Sequence, residues 1–363
     1  MPRRQTALIA ALLILTAAGG FYSVRTQHPP VLTVASWAGA YGHAQMSAQM
    51  APFARASGAD VRIALYDGGT AELAQQVASG QYKWDVIDME LPDAVAACRA
   101  GLLEPRNPPA TAPNGTPAAD DFIPGALGRC WVGEIAYSRV IGFAPHRFAT
   151  PPRTLADFFD TARFPGPRAL SDTAKDNLEM ALLADGVPPD QVYATLTTPA
   201  GRARALRKLD SLKGSLVFMA AGDSPARMLN EGRAAFAALL NGDLYDAAQS
   251  GSPIDAIWDG QIYGFDVLAI PRGTPRAKLA GDYVRYATTA PVLASLAAWL
   301  PYGPARRSAQ GHIGLNPELK QSLQAFRPSA DGRLQHALPR DEAWWARNGT
   351  AAEAEWRAWR ARP

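Results

Sequence analysis

VLTVAS at residues 31–36, VRIALY at 61–66 and WDVIDM at 84–89 decide the fold. Each is a short β-prone run, and each precedes a stretch that can form a helix: 44–56, TAELAQQVAS at 70–79, and 92–100. Strands alternating with helices predict βαβ units, and so a parallel sheet with right-handed crossovers. Further on, WVGEIAYSRVIGF at 131–143 and YGFDVLAIP at 263–271 are long β-prone segments suited to crossing between two lobes. A helix-rich region with a buried strand at 234–240 lies between them. Paired helices at 277–288 and 291–299 and an Arg/Trp-rich helical end at 342–360 follow. At 363 residues the chain has room for about two domains.

Composition narrows the function. With 48% hydrophobic and 19% charged residues, the chain is neither disordered nor collagen-like. The formal net charge is +3, but three of the 36 basic residues, Arg3, Arg4 and Arg25, fall in the first 26 positions. The rest carries 33 basic against 33 acidic residues, which implies no nucleic-acid partner. Residues 1–27 have a positive start, an apolar run at 7–21 and a polar exit, the layout of a secretory signal. The run is shorter than the roughly 20 residues a spanning helix prefers. An uncleaved anchor would export the body equally, so a periplasmic location is expected. Cys98 and Cys130 are the two cysteines. In an oxidising compartment a lone pair is expected to bridge, the alternative being two separate buried thiols.

Ligands of open α/β sheets bind outside the carboxyl ends of the strands. Those ends carry Trp37 and Tyr41, then Gly68-Gly69-Thr70, then Asp88 and Glu90, which are two apart and share a face. Aromatic surface with carboxylates suits a cation on an aliphatic body. Taken singly, Trp37 could be a rim aromatic and the two acids a solvated or capping pair. The glycine turn could offer amides to an anion, but it lacks the Walker and GxGxxG patterns. The histidines are scattered, no GxSxG elbow occurs, and no metal or cofactor is implied. Paired acids alone are a weak case for a hydrolase. Asp266 lies inside an otherwise apolar segment and needs a partner that a ligand could supply.

SWAGAYGHAQ (36–45), YDGGTAELAQQVASGQYKWDVIDME (66–90), GLLEP (101–105) and FPGPRAL (164–170) resemble a known family in order. NLEMALLADGVPPDQVY (177–193), AAGDSPARMLNEGRAAFAALLNGDLYDA (220–247), IWDGQIYGFDVLAIPRGTP (257–275) and LPYGP (300–304) continue the match. The chain is similar to exported solute-binding proteins of ABC importers, the type II periplasmic binding proteins of the spermidine/putrescine type. The resemblance implies an α/β fold of two lobes, each a mixed, mainly parallel sheet flanked by helices, with the ligand in the cleft between them. The first lobe is expected at 31–138 plus 265–325, the second at 139–264, and a tail at 326–363 packing across both. Hinges are expected near Val140 and Tyr263.

Carried over by position, the resemblance implies a ligand set of Trp37, Asp88, Glu90, Asp176, Glu179, Asn241, Asp266 and Tyr302, with Tyr41 as added aromatic cover. Trp258, Tyr263, Tyr245 and Tyr137 are secondary candidates. Where the family commonly has Trp-Asn-Gly this chain has Leu240-Asn241-Gly242, one aromatic wall fewer. The set holds five carboxylates and no Lys or Arg, which predicts a cationic amine, a polyamine or diamine. The alternatives are an aminophosphonate or amino-acid-like zwitterion on the same fold, a membrane-anchored sensor, or a hydrolase. A monomer partnered by a small-molecule ligand and an inner-membrane ABC permease is expected, with no enzymatic activity.

Overall fold

A computed structural model describes residues 29–362, apart from positions 108, 221 and 331. The expected signal at 1–27 lies outside the described residues. The strands are β1 (Val31–Ser36), β2 (Asp60–Leu65), β3 (Val86–Glu90), β4 (Trp131–Phe143) and β5 (Arg168–Ser171). After them come β6 (Leu216–Met219), β7 (Phe236–Leu240), β8 (Asp255–Ala269), β9 (Gly303–Pro304) and β10 (Leu338–Pro339). They form one sheet in the order β2-β1-β3-β8-β4-β7-β5-β6, with β9 on β4 and β10 on β8.

The β1, β2 and β3 runs pair in parallel, as the βαβ pattern predicts. The helix after β3, Leu91–Arg99, has Pro92 in its first turn, where a missing N–H removes no intrahelical bond. It buries Leu91, Ala94, Val95 and Cys98, a helical spacing that faces one core. The helix expected at 44–56 begins earlier: Ala40–Gln45 is α-helical, Met46–Met50 forms a π turn, and Ala51–Ser57 continues. That early start is what brings Tyr41 and Gln45 over the sheet.

β4 and β8 are long because they serve both lobes. The end of β8 runs antiparallel to β3, while the far end of β4 runs antiparallel to β7. Their register shifts twice, by one residue between Gly133 and Ile135 and by three between Arg139 and Ile141, where the partner on β8 moves from Ile262 to Ile257. One core gathers Leu32, Val34, Val86, Ile87, Val267, Leu268 and Tyr283. A second gathers Phe158, Phe164, Leu170, Leu178 and Phe236 with four tryptophans of the Glu342–Arg360 helix. Each such side chain contributes about 1.5–3 kcal/mol when fully buried. Tryptophan needs a polar partner as well. Trp344 donates to Thr197 (2.9 Å), Trp345 to Glu179 (2.5 Å), Trp356 to Asp172 (3.0 Å) and Trp359 to Asp210 (2.8 Å). The Arg/Trp-rich end is thus a fastening of the second core, while its Ala343 packs on the first. Among the described residues no helix is long and apolar enough to cross a membrane. Cys98 and Cys130 are bridged, tying the Leu91–Arg99 helix to the start of β4.

Candidate functional site

Trp37, Tyr41, Glu90, Ile135, Tyr137, Leu240, Asp266 and Tyr302 line a cavity of about 270 Å³. Sheet register explains the acids. Glu90 of β3 sits directly opposite Asp266 of β8, and Asp266 in turn opposite Ile135 of β4. Residues opposite one another project to one face, so two like charges meet there. Nothing in a strand pair favours that arrangement; a cationic ligand would.

A third acid arrives by a bulge. In unbroken alternation Glu134 would face away from Ile135. The slip between Gly133 and Ile135 inserts one residue, and Glu134 turns to the same side. It is fully buried and accepts from Gln45 Nε2 (2.7 Å) and from the Tyr41 hydroxyl (3.3 Å). The same Gln45 nitrogen donates to Asp88 Oδ2 (2.8 Å), with Ser36 Oγ at 3.3 Å. No Lys or Arg among the described residues pairs with Asp88, Glu134 or Asp266. Burial, then neighbouring acids, lifts Asp266 to about 8, with Tyr41 as a hydrogen-bonding neighbour. Burial lifts Glu134 to about 7 and holds Asp88 well above the carboxylate range.

Aromatic placement depends on two glycines. Gly264 lies opposite Tyr137, and a Cβ there would stand 2.9 Å from the Tyr137 ring. A Cβ on Gly242 would stand 3.1 Å from the Tyr302 hydroxyl. Gly242 is in a helix, where Gly→Ala normally gains about 1 kcal/mol. Gly242→Ala is therefore expected to destabilise instead, by about 1 kcal/mol, because Tyr302 must shift. Urea unfolding of the variant measures the sign.

Several expected residues stand elsewhere. Asp88 is fully buried and joins the network behind the lining rather than the lining itself. Asp176 accepts from Arg139 Nε (3.1 Å) and Arg340 Nη2 (2.5 Å). Burial would raise it, but the two guanidiniums outweigh burial and hold it below the usual range. Glu179 lies under Trp345 and Tyr193 in the second core, raised to about 7 by burial and by Asp176. Asn241 spends its amide on structure: Ser138 N–H donates to Oδ1, and Nδ2 donates to the Pro301 and Phe326 carbonyls. It ties its helix to β4 and to the segment just before Tyr302, and it is not among the lining residues. Among the secondary candidates, Tyr137 lines the cavity. Trp258 lies under Arg333, Tyr263 is in the first core and Tyr245 packs on Phe326. At the glycine turn, the Gly69 N–H already donates to Asp93 Oδ2 (2.7 Å), which argues against an anion there.

No Lys or Arg is among the residues that line the cavity, but three stand beyond the lining. Arg139 lies opposite Leu240, a lining residue, and Arg340 acts on the lining residues Tyr137 and Glu90. Lys175 joins them, 2.7 Å from Glu342 and acting on Glu90. Arg139 and Arg340 pair with Asp176, and Lys175 and Arg340 with Glu342, while Glu179 and Asp243 face the same arginines.

The model of the bacterial extracellular solute-binding proteins matches residues 48–325. The chain belongs to that family. These proteins are the binding components of ABC transporters, exported to take up small molecules and hand them to a permease. This solute-binding protein is 34% identical to the γ-aminobutyric acid-binding protein of Pseudomonas aeruginosa over 331 residues, 91% of each chain. It matches the spermidine/putrescine-binding periplasmic protein of Escherichia coli K12 at 31% identity over 129 residues, 34% of this chain and 35% of that one. A solved γ-aminobutyrate receptor superposes with a TM-score of 0.70 at 28% identity, covering 92% of this chain and 98% of the other. The two-lobed α/β expectation agrees with these neighbours.

Proposed function

We propose that this solute-binding protein captures an ω-amino acid such as γ-aminobutyrate and delivers it to a membrane permease. One observation carries the reading: the acids Glu90 and Asp266 line the cavity with no Lys or Arg among the lining, while Lys175 and Arg340 act on Glu90 from beyond it. The ammonium would sit on Asp266 and Glu90, with Trp37, Tyr41, Tyr137 and Tyr302 over the methylenes. The carboxylate would face Arg139 and Lys175, which keep about 28% and 32% of their side chains exposed. The names of the long-matching relatives support the same class. Capture would proceed by closure of a first lobe (31–138 plus 265–325) on a second (139–264), with 326–363 as a tail across both. The second register slip, at Arg139 and Ile141, is the hinge we assign in β4.

A second reading, a diamine or polyamine, is favoured by the four acids Asp88, Glu90, Glu134 and Asp266, more than one ammonium requires. Thermal shift on ligand-stripped protein separates the two, because a ligand that binds only the native state stabilises it. γ-Aminobutyrate is expected to raise Tm more than putrescine, spermidine or succinate. In Arg139→Met, with Asp176 still held by Arg340, γ-aminobutyrate should lose about 1.5–3 kcal/mol of binding while putrescine does not. A larger shift with putrescine in the wild type would favour the diamine.

A further inference from the structure

We propose that capture of an ammonium at this site expels a proton held between Asp88 and Glu134, so that binding is an exchange of one cation for another. The proposal rests on the reading of the ligand as an amine.

The geometry is a buried carboxyl pair that shares one amide donor group, with Tyr41 and Ser36 as more distant donors at 3.3 Å. Gln45 uses its single NH₂ on both acids, one N–H to Asp88 Oδ2 and one to Glu134 Oε2. Its carbonyl oxygen accepts from Ser36 Oγ and so offers nothing to either carboxyl. Asp88 Oδ1 and Glu134 Oε1 are buried with no partner. Two fully ionised carboxylates so placed, with no cation and two orphaned oxygens, would carry an uncompensated buried charge. One proton shared by the pair removes the repulsion and gives an orphaned oxygen a donor.

The surroundings offer no substitute for that proton. From the Ala40–Gln45 helix come Tyr41 and Gln45, from the π turn Gln49, and from β1 Ser36. β8 presents Asp266, β3 Glu90, and the helix beyond β8 the hydroxyl of Tyr283, itself buried and unpartnered. Tyr137 and Tyr302 face Asp266 across the cavity. Arg340 acts on Glu90 and Tyr137 but is bound to Asp176. Every ionisable group in contact with the pair is thus acidic or phenolic.

An ammonium entering the cavity meets Asp266 first, since that carboxyl lines it. Its charge lowers the cost of ionising Asp266, Glu134 and Asp88 together. The carboxyl O–H bond breaks, the electron pair stays on the carboxylate, and the proton leaves to solvent. The ligand keeps its three N–H protons and the cavity keeps its net charge. The raised values of Asp266, about 8, and Glu134, about 7, place the exchange in the neutral range. Affinity should then rise with pH between about 6 and 8, by up to about tenfold per unit for one proton released.

The test is calorimetry of the ligand-stripped protein with γ-aminobutyrate at pH 7, in phosphate and in MOPS. Proton release makes the observed heat differ between the two buffers in proportion to their ionisation enthalpies. We expect a difference corresponding to about half to one proton, reduced in Glu134→Gln and in Asp88→Asn, where only Asp266 is left to release one. Equal heats in the two buffers would overturn the proposal. If γ-aminobutyrate gives no heat in either buffer, the ligand reading fails, and the unliganded protein decides the proton. A carboxyl raised in the fold contributes stability that is complete below its unfolded value, 4.5 for Glu134, and is lost as pH rises through about 7. Tm of the wild type should therefore fall from pH 5 to 8 more steeply than that of Glu134→Gln. Glu179, raised similarly in the second core, remains in both proteins and cancels. Parallel curves would refute the shared proton.

Discussion

Asp266→Asn is expected to weaken amine binding by about 2–5 kcal/mol while leaving the fold at least as stable. The two halves have one cause. In the empty protein Asp266 faces Glu90 across the strand pair and lies close to Glu134, and burial with these neighbours lifts it to about 8. Asparagine is nearly the same shape and removes a like charge, so folding loses no ion pair. With ligand present, the ammonium loses a partner in a site shielded from water, where the attraction is least screened. Calorimetry and thermal unfolding of the same variant read the two effects apart. Unchanged affinity would place the ammonium elsewhere.

Reduction of the Cys98–Cys130 bridge is expected to cost roughly 3–4 kcal/mol, the chain-entropy value for a loop spanning 32 residues. The bridge joins the Leu91–Arg99 helix, which follows directly on Glu90, to the strand that carries Glu134 and Ile135. Its loss therefore loosens two elements of the acidic wall together. Urea unfolding of oxidised protein and of reduced, alkylated protein measures the stability change. Equal stability would show that packing of the first core alone fixes these elements.

The first lobe was legible because its runs are local: VLTVAS, VRIALY and WDVIDM each announce a strand, and each is followed by its helix. The carboxyl ends of those strands pointed to Trp37, Tyr41 and Glu90 for the same reason, and all three line the cavity. Asp266 stood out as a lone acid in an apolar strand. Glu134 carries the same signal within WVGEIAY but was not singled out, and strict alternation would have turned it away from the site. A one-residue bulge is invisible to periodicity. Asp176 stands outside the lining, held by Arg139 and Arg340. Its partner Arg340 is 164 residues away, so a pairing that neutralises it leaves no trace in local sequence. The same distance hid the reach of Arg340 to Glu90 and Tyr137. An acidic reading therefore gave a polyamine, with Lys175 and Arg340, which act on Glu90, left out of account.

Calorimetric titration of the ligand-stripped, full-length protein with γ-aminobutyrate, putrescine and succinate tests the central claim most directly. Saturable binding of γ-aminobutyrate, with weaker heat from putrescine and none from succinate, is the predicted result. Tight binding of succinate with no response to either amine would contradict it.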